Sequence, residues 1–310
     1  MKPNRNLVPF FFGASAKGWH ELEALPRCPK EYQYSRVRGI SPRGAAFLKE
    51  PLGIGTLVHV GRAQWLADGY KGDRWREALA LYLKEYKAQN LPPMMPGALA
   101  IAVQCLEKYI EYWSIRPKPE VLAVEYEMKA RGLAAVSDSW TWRTSRLDSI
   151  VKWQGKTWLD ECKTTSSSPS RVRDIYMLNG QPLLGCALWT KEETKRFGPL
   201  AGVLLDVIVK PNGKKGPSCS SRIPLPISEM SHALKWFPAV AAEYVHQARM
   251  IRWNDGVERR ITSCLRPLGP CPFRALCLRG QRGAGGYVFA DGVSLNEWKP
   301  EPGKETEPWR

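Results

Sequence analysis

Between residues 121 and 163 the chain carries three runs in which apolar, β-branched or aromatic residues alternate with polar ones. Residues 121–128, 140–151 and 156–163 have the period of two that marks strands with one buried face. The last two are separated only by a turn containing Gln154 and Gly155. Three such runs in quick succession imply an antiparallel meander, and every other element has to be arranged around it.

The flanks read differently. Residues 13–38 hold an amphipathic stretch around Trp19, Leu22 and Leu25, interrupted at Pro26, and residues 55–70, 73–89 and 98–113 have helical spacing. Pro92, Pro93 and Pro96 break the pattern between the last two. After the meander, a polar segment over residues 164–173 leads to a helix at 181–190. An apolar strand at 200–210 follows, then a Gly/Lys/Ser/Pro loop at 211–217 and a long helix at 228–253. Helices, three strands, helix, strand, helix is the order of an α/β fold with a mixed central sheet. From Gly280 onward Gly, Pro and Glu dominate, and residues 280–310 are expected to form a loosely ordered tail.

Composition enters through charge. Forty-six Lys and Arg against 30 Asp and Glu give +16, an excess that concentrates polyanions such as nucleic acid near the surface. Arg171, Arg173, Lys191, Lys195, Arg196, Lys210, Lys214 and Lys215 follow the meander and are candidates to line a phosphate groove. The apolar run at residues 8–12 is broken by Pro9 and is too short for a secretory signal, and no stretch reaches membrane-spanning length without charges. The expectation is a cytoplasmic protein with no membrane partner. Its eight cysteines are then thiols or metal ligands rather than disulfides.

The chemistry-bearing segment is Arg146-Leu147-Asp148-Ser149-Ile150 followed by Leu159-Asp160-Glu161-Cys162-Lys163. Residues two apart on a strand share a face, so Glu161 and Lys163 point the same way and Asp160 points away from Lys163. Antiparallel pairing of the two strands brings Asp148 beside Glu161. Two such carboxylates repel unless a cation lies between them, and oxygen ligands suit Mg2+ or Mn2+. A metal there activates water against a phosphodiester, with Lys163 placed to stabilise the charge that develops. Glu125 and Glu127, on the preceding strand, are candidates to support the site or simply to face solvent.

These residues resemble the PD-(D/E)XK nuclease superfamily, specifically its RecB-like branch. Gly55-Thr56-Leu57-Val58-His59 matches its Gly-x-x-x-His helix, Asp148 its aspartate, Glu161-Cys162-Lys163 its Glu-x-Lys strand, and Gln181 the glutamine of a following helix. The resemblance implies a restriction-endonuclease-like fold with an N-terminal helical region, in one domain over residues 1–279 with a helical insertion at 72–116. It implies His59, Asp148, Glu161 and the Cys162 carbonyl as metal ligands, with Lys163, Asp148, Glu161 and Gln181 catalytic. It also implies exonucleolytic hydrolysis of DNA, on single strands or ends. The branch often has Gln-x-x-x-Tyr, whereas Gly185 stands four residues beyond Gln181 here, which departs from the pattern of a DNA-contacting helix.

Four cysteines flank this core: Cys28 before it, and Cys264, Cys271 and Cys277 after it. Four clustered thiolates satisfy a [4Fe–4S] cluster or a tetrahedral Zn2+, and spacing alone does not choose. The start Cys28-Pro29-x-x-Tyr32 and the end Cys271-Pro272-Phe273-x-x-x-Cys277 resemble AddB-type helicase-nucleases and CRISPR-adaptation exonucleases. In those a [4Fe–4S] cluster ties the chain ends together, which implies a staple at 28 and 264–277. A helicase or recombination partner, with roles in recombination, repair, CRISPR adaptation or phage biology, belongs to the same implication. Two other readings stand beside it: a non-catalytic DNA-binding recombination subunit that keeps the fold, and a zinc-stabilised basic adaptor.

Overall fold

The protein is represented by a computed structural model. It describes residues 7–9, 18–42, 50–89, 94, 96–131, 142–212, 215–219, 222–253, 265–266, 269–279 and 287–288. The chain divides into two compact units, one of residues 1–18 and 48–239, the other of residues 19–47 and 240–310.

In chain order the first helices belong to the second unit. It opens with α1 (Trp19–Leu22), then α2 (Pro29–Tyr32), which runs on as a π-helical turn over Gln33–Val37, and the two-residue β1 (Ser41–Pro42). The first unit then supplies α3 (Glu50–Ala67), α4 (Trp75–Ala88), α5 (Ala98–Ser114), β2 (Glu120–Arg131), β3 (Trp142–Trp153) and β4 (Lys156–Thr165). It continues through α6 (Pro169–Met177), α7 (Gly180–Ala187), α8 (Lys191–Phe197), β5 (Leu200–Val209), β6 (Ser218–Cys219) and β7 (Ile223–Pro226). Helix α9 (Ile227–Trp253) crosses the boundary. After it come β8 (Leu265–Arg266), β9 (Gly269–Pro270), α10 (Arg274–Arg279) and β10 (Tyr287–Val288).

The expected meander is present: β2 pairs antiparallel with β3, and β3 with β4. Strand β5 then pairs parallel to β4, while β6 and β7 pair antiparallel to β5. The order β2-β3-β4-β5-β6 makes a mixed sheet, and α6, α7 and α8 form the crossover that a parallel β4–β5 pair requires. Two of those three helices were not foreseen. Ser168, which caps α6 by accepting from the Arg171 N–H ahead of Pro169, stands inside the segment read as polar coil. Helix α8 starts on a capping box between Thr190 and Glu193, where the expected 181–190 helix has already ended.

Helices cover both faces of this sheet. On one, Ile54, Leu57 and Val58 of α3 and Ala102, Leu106 and Tyr109 of α5 share a core with Cys162 of β4 and Ile208 of β5. Gly55 permits the close approach, since a Cβ there would stand 3.2 Å from the Thr164 hydroxyl of β4. On the other face α7 lies so near the sheet that a Cβ at Gly185 would meet Leu159 at 3.0 Å.

In the second unit Leu22, Leu25 and Tyr32 pack with Ala248 and Ile251 of α9. A separate cluster joins Tyr34 and Ile40 to Cys271, Phe273, Leu276 and Tyr287, with Cys277 against it. β1 pairs with β10, so residues from both ends of the sequence build this unit. Beyond Tyr287–Val288, the expected 280–310 tail lies outside the described residues.

Candidate active site

The site forms where β3 parts from β4. Their backbone register runs from Trp153↔Lys156 to Ser149↔Asp160 and stops there. One residue further, the Asp148 carboxylate takes over: its Oδ2 accepts from the Cys162 backbone N–H at 2.7 Å. On the other side of β3, Glu125 lies between the pairs Val124↔Ser149 and Tyr126↔Leu147 and adopts φ 49°. A glutamate held in the left-handed region is strained backbone of the kind that collects at functional sites.

His59, one helical turn beyond Gly55 on α3, places Nδ1 3.0 Å from Asp148 Oδ1. Glu161 is almost fully buried, and three donors meet on its Oε2: the Tyr176 hydroxyl at 2.9 Å, Gln181 Nε2 at 3.1 Å and Lys163 Nζ at 3.3 Å. Lys163 also donates to Gln181 Oε1 at 3.3 Å and stands 5.1 Å over the Tyr176 ring. The Asn179 side chain caps α7 by accepting from the Gln181 N–H, which fixes where that glutamine begins its reach.

Burial acts against every charge here, and the neighbours decide the outcome. It pushes the Glu161 carboxyl up and Asp148 reinforces it, so Glu161 stays raised despite Lys163 and Tyr176. Glu125 is pushed to about 7 by burial and then by Asp148. Asp148 goes the other way: burial raises it, but His59 and then Lys163 hold it well below the carboxylate range. His59 and Lys163 are desolvated, yet end raised, His59 by Asp148 and Lys163 by Glu161 and Asp148. Three carboxylates thus crowd one strand end, and two of them resist ionising.

His59, Asp148, Glu161, Lys163 and Gln181, expected together, are brought together. Cys162 contributes its N–H to Asp148, while its side chain is buried in the core on the other face. Glu125 joins the site, whereas Glu127 pairs with Lys129 at 2.9 Å. Tyr176 was missed, and nothing in its sequence context singles it out. Of the basic candidates, Arg173 is tied to Asp174 and Glu229, and Lys214 lies outside the described residues.

The donor set, imidazole nitrogen and carboxylate oxygen, fits a hard divalent cation, and the raised Glu161 and Glu125 are what a +2 charge would relieve. As the side chains stand, no three His, Cys, Asp or Glu among the described residues surround one point; Asp148 has both oxygens engaged by His59 and Cys162. The same holds for the cysteines. Cys271 and Cys277 share a cluster, Cys28 is buried at the N-cap of α2, and Cys264 lies outside the described residues.

A mixed sheet thus carries an aspartate, a Glu-x-Lys strand and a lysine-linked glutamine at one strand end. The chain belongs to the PD-(D/E)XK nuclease superfamily, whose sequence profile matches residues 19–278. Nucleases of this superfamily typically use Mg2+. A search among curated proteins finds no match. None of the described helices is long and apolar enough to cross a membrane.

Proposed function

We propose that this protein is a divalent-metal-dependent deoxyribonuclease that hydrolyses phosphodiester bonds from single-stranded DNA or DNA ends. The observation that carries it is the convergence of Lys163 Nζ, 3.3 Å from both Glu161 and Gln181, with the His59–Asp148 pair at the same strand end. His59, Asp148, Glu161 and the Cys162 carbonyl would hold Mg2+ or Mn2+, which when bound polarises a phosphate oxygen and lowers the pKa of an attacking water. Glu161 is suited to this because all three donors fall on Oε2 and orient the carboxylate from one side. The Lys163 ammonium, its charge favoured by Glu161 and Asp148, stabilises negative charge building on the phosphate. Gln181 holds Lys163 and Glu161 at a fixed separation, and Tyr176 holds Glu161. The preference for ends, a helicase or recombination partner, and a place in recombination, repair or CRISPR adaptation rest on the RecB-like resemblance. A [4Fe–4S] cluster on Cys28, Cys264, Cys271 and Cys277, with Zn2+ as the alternative, rests there too; no step of the hydrolysis runs through it.

The test is cleavage of end-labelled single- and double-stranded DNA with Mg2+ or Mn2+, beside a covalently closed circular single strand. Metal-dependent loss of linear DNA with the circle spared is expected. Lys163→Ala should lower the rate by about 10²–10³-fold while DNA binding persists. Binding without cleavage in either metal would replace this reading with that of a non-catalytic DNA-binding subunit.

A further inference from the structure

Behind the catalytic strand lies a second polar cluster that the proposed chemistry does not use. Arg62 of α3, Asp160 of β4, Asp206 of β5 and Arg222, just before β7, are all buried. Arg62 Nη2 donates to Asp160 Oδ2 at 2.6 Å and to Asp206 Oδ2 at 3.2 Å, and its Nε donates to the Tyr109 hydroxyl of α5 at 3.0 Å. Tyr109 in turn donates to Asp206 Oδ2 at 2.6 Å, and the Ser149 hydroxyl of β3 to Asp160 Oδ2 at 2.6 Å. Arg222 balances the charge from farther off, its Nε 3.5 Å from Asp160 and 3.7 Å from Asp206, with its guanidinium 4.0 Å over Trp113. None of its three nitrogens makes a hydrogen bond among the described residues. Arg62 is the group that ties α3, α5, β4 and β5 together directly.

The members of this cluster are placed one step from the site. Ser149 follows Asp148, Asp160 precedes Glu161, and Arg62 is one helical turn beyond His59. Strand alternation puts Asp160 on one face while Glu161 and Lys163 occupy the other. His59 comes from a helix and Asp148 and Glu161 from two strands, so their separation is set by how α3 seats on the sheet. Apolar packing alone tolerates small slides, because dispersion has little direction. A guanidinium gripping two carboxylates does not, since a buried hydrogen-bonded network has few arrangements that satisfy it.

We infer that Arg62 is a positioning residue for the metal-binding side chains: through Asp160, Asp206, Tyr109 and Ser149 it fixes α3 on the sheet and so sets His59 against Asp148 and Glu161. The inference rests on the proposed metal-dependent reading of that site. Arg62 touches neither substrate nor metal. It acts through the seating of the helix, and the geometry required is that of the fork rather than of the charge alone.

The test compares Arg62→Lys with the unsubstituted protein and with Leu79→Ala, which removes a buried side chain of α4 outside the network. Mn2+ binding is read by electron paramagnetic resonance, and kcat and KM by DNA cleavage. Arg62→Lys should weaken Mn2+ binding by about tenfold or more and lower kcat by about 100-fold, with KM for DNA within about twofold. Leu79→Ala should lose thermal stability and keep both Mn2+ affinity and kcat. Ser149→Ala, which removes one hydroxyl from Asp160, should shift Mn2+ affinity the same way by less, and it remains informative if Arg62→Lys does not fold. Unchanged Mn2+ binding and kcat in Arg62→Lys, or in Ser149→Ala where the lysine variant does not fold, would overturn the inference. Equal losses in Arg62→Lys and Leu79→Ala would also overturn it, reducing Arg62 to a structural role. Absence of cleavage by the unsubstituted protein would instead count against the nuclease reading, while the Mn2+ signal still judges the positioning.

Discussion

Tyr176→Phe removes a single oxygen from the site and leaves the ring, with its contact to Lys163, in place. That oxygen donates to Glu161 Oε2 at 2.9 Å in a buried setting. A hydrogen bond to a charged group contributes about 1.5–3 kcal/mol. Glu161 keeps two other donors, Gln181 at 3.1 Å and Lys163 at 3.3 Å, so its carboxylate is not orphaned. The loss of folding stability should fall at the low end, about 1.5 kcal/mol. The effect on the site should be larger. The Tyr176 hydroxyl lowers a Glu161 carboxyl that burial and Asp148 raise, and without it the proton competes better for the oxygen a cation needs. The sign follows: a carboxyl raised further ionises at higher pH, so the acidic limb of the cleavage profile moves up. At fixed neutral pH the Mn2+ concentration for half-maximal rate should rise about tenfold, as for other groups that orient a ligand. Thermal unfolding and Mn2+ titrations of the cleavage rate at several pH values measure both effects. An unchanged Mn2+ midpoint with the acidic limb in place would refute the argument that Tyr176 tunes Glu161.

Three further outcomes are expected. Gly202→Ala should destabilise the first unit by about 3 kcal/mol or more, through overpacking and backbone strain together, because φ is +147° and a Cβ would meet the Leu225 carbonyl oxygen at 2.2 Å; urea unfolding measures it. Thr190→Ala deletes the capping box of α8 and should lower stability by about 1 kcal/mol, readable in the same assay with cleavage unaffected. Protein purified without oxygen should contain iron and sulfide in about 4:4 ratio if the four cysteines hold a cluster, and about one zinc per chain if they hold Zn2+ instead; elemental analysis decides between them.

The central strands were readable because their information is local. Alternation over residues 140–163 and the spacing of Glu161 and Lys163 dictate which side chains share a face, and the short turn at Gln154 dictates the pairing. His59 and Gln181 were readable through the resemblance, and the structure brings both to the strand end. Helix α6 was hidden by its own polarity, although Ser168-Pro169 is a helix-start signal of the kind that Thr190 and Glu193 provide for α8. Strand β7 was hidden by Pro224 and Pro226, which argue against a strand except at a sheet edge; among the described residues it pairs with β5 alone. Tyr176 and the Arg62 cluster were beyond reach for a deeper reason. Arg62 lies 98 residues from Asp160 and 144 from Asp206, and the ordinary expectation places Arg and Asp in solvent. Nothing short of the fold announces that four such groups neutralise one another in the interior.

The main-chain amide that holds Asp148 also makes this site a gauge of strand alignment. Asp148 is anchored to Cys162, the neighbour of Glu161 on the same strand, so both carboxylates are mounted on one ladder. Were β3 to slip by a single residue against β4, every side chain on it would change faces. Slipped one way, Leu147 would stand where the anchored acid belongs, and the Asp148 carboxylate would take the place of Ser149 beside Asp160 and the arginines of the interior. Misaligned chains would therefore lose reactivity and cohesion in the same event, leaving little room for a well-folded but inert form of the molecule.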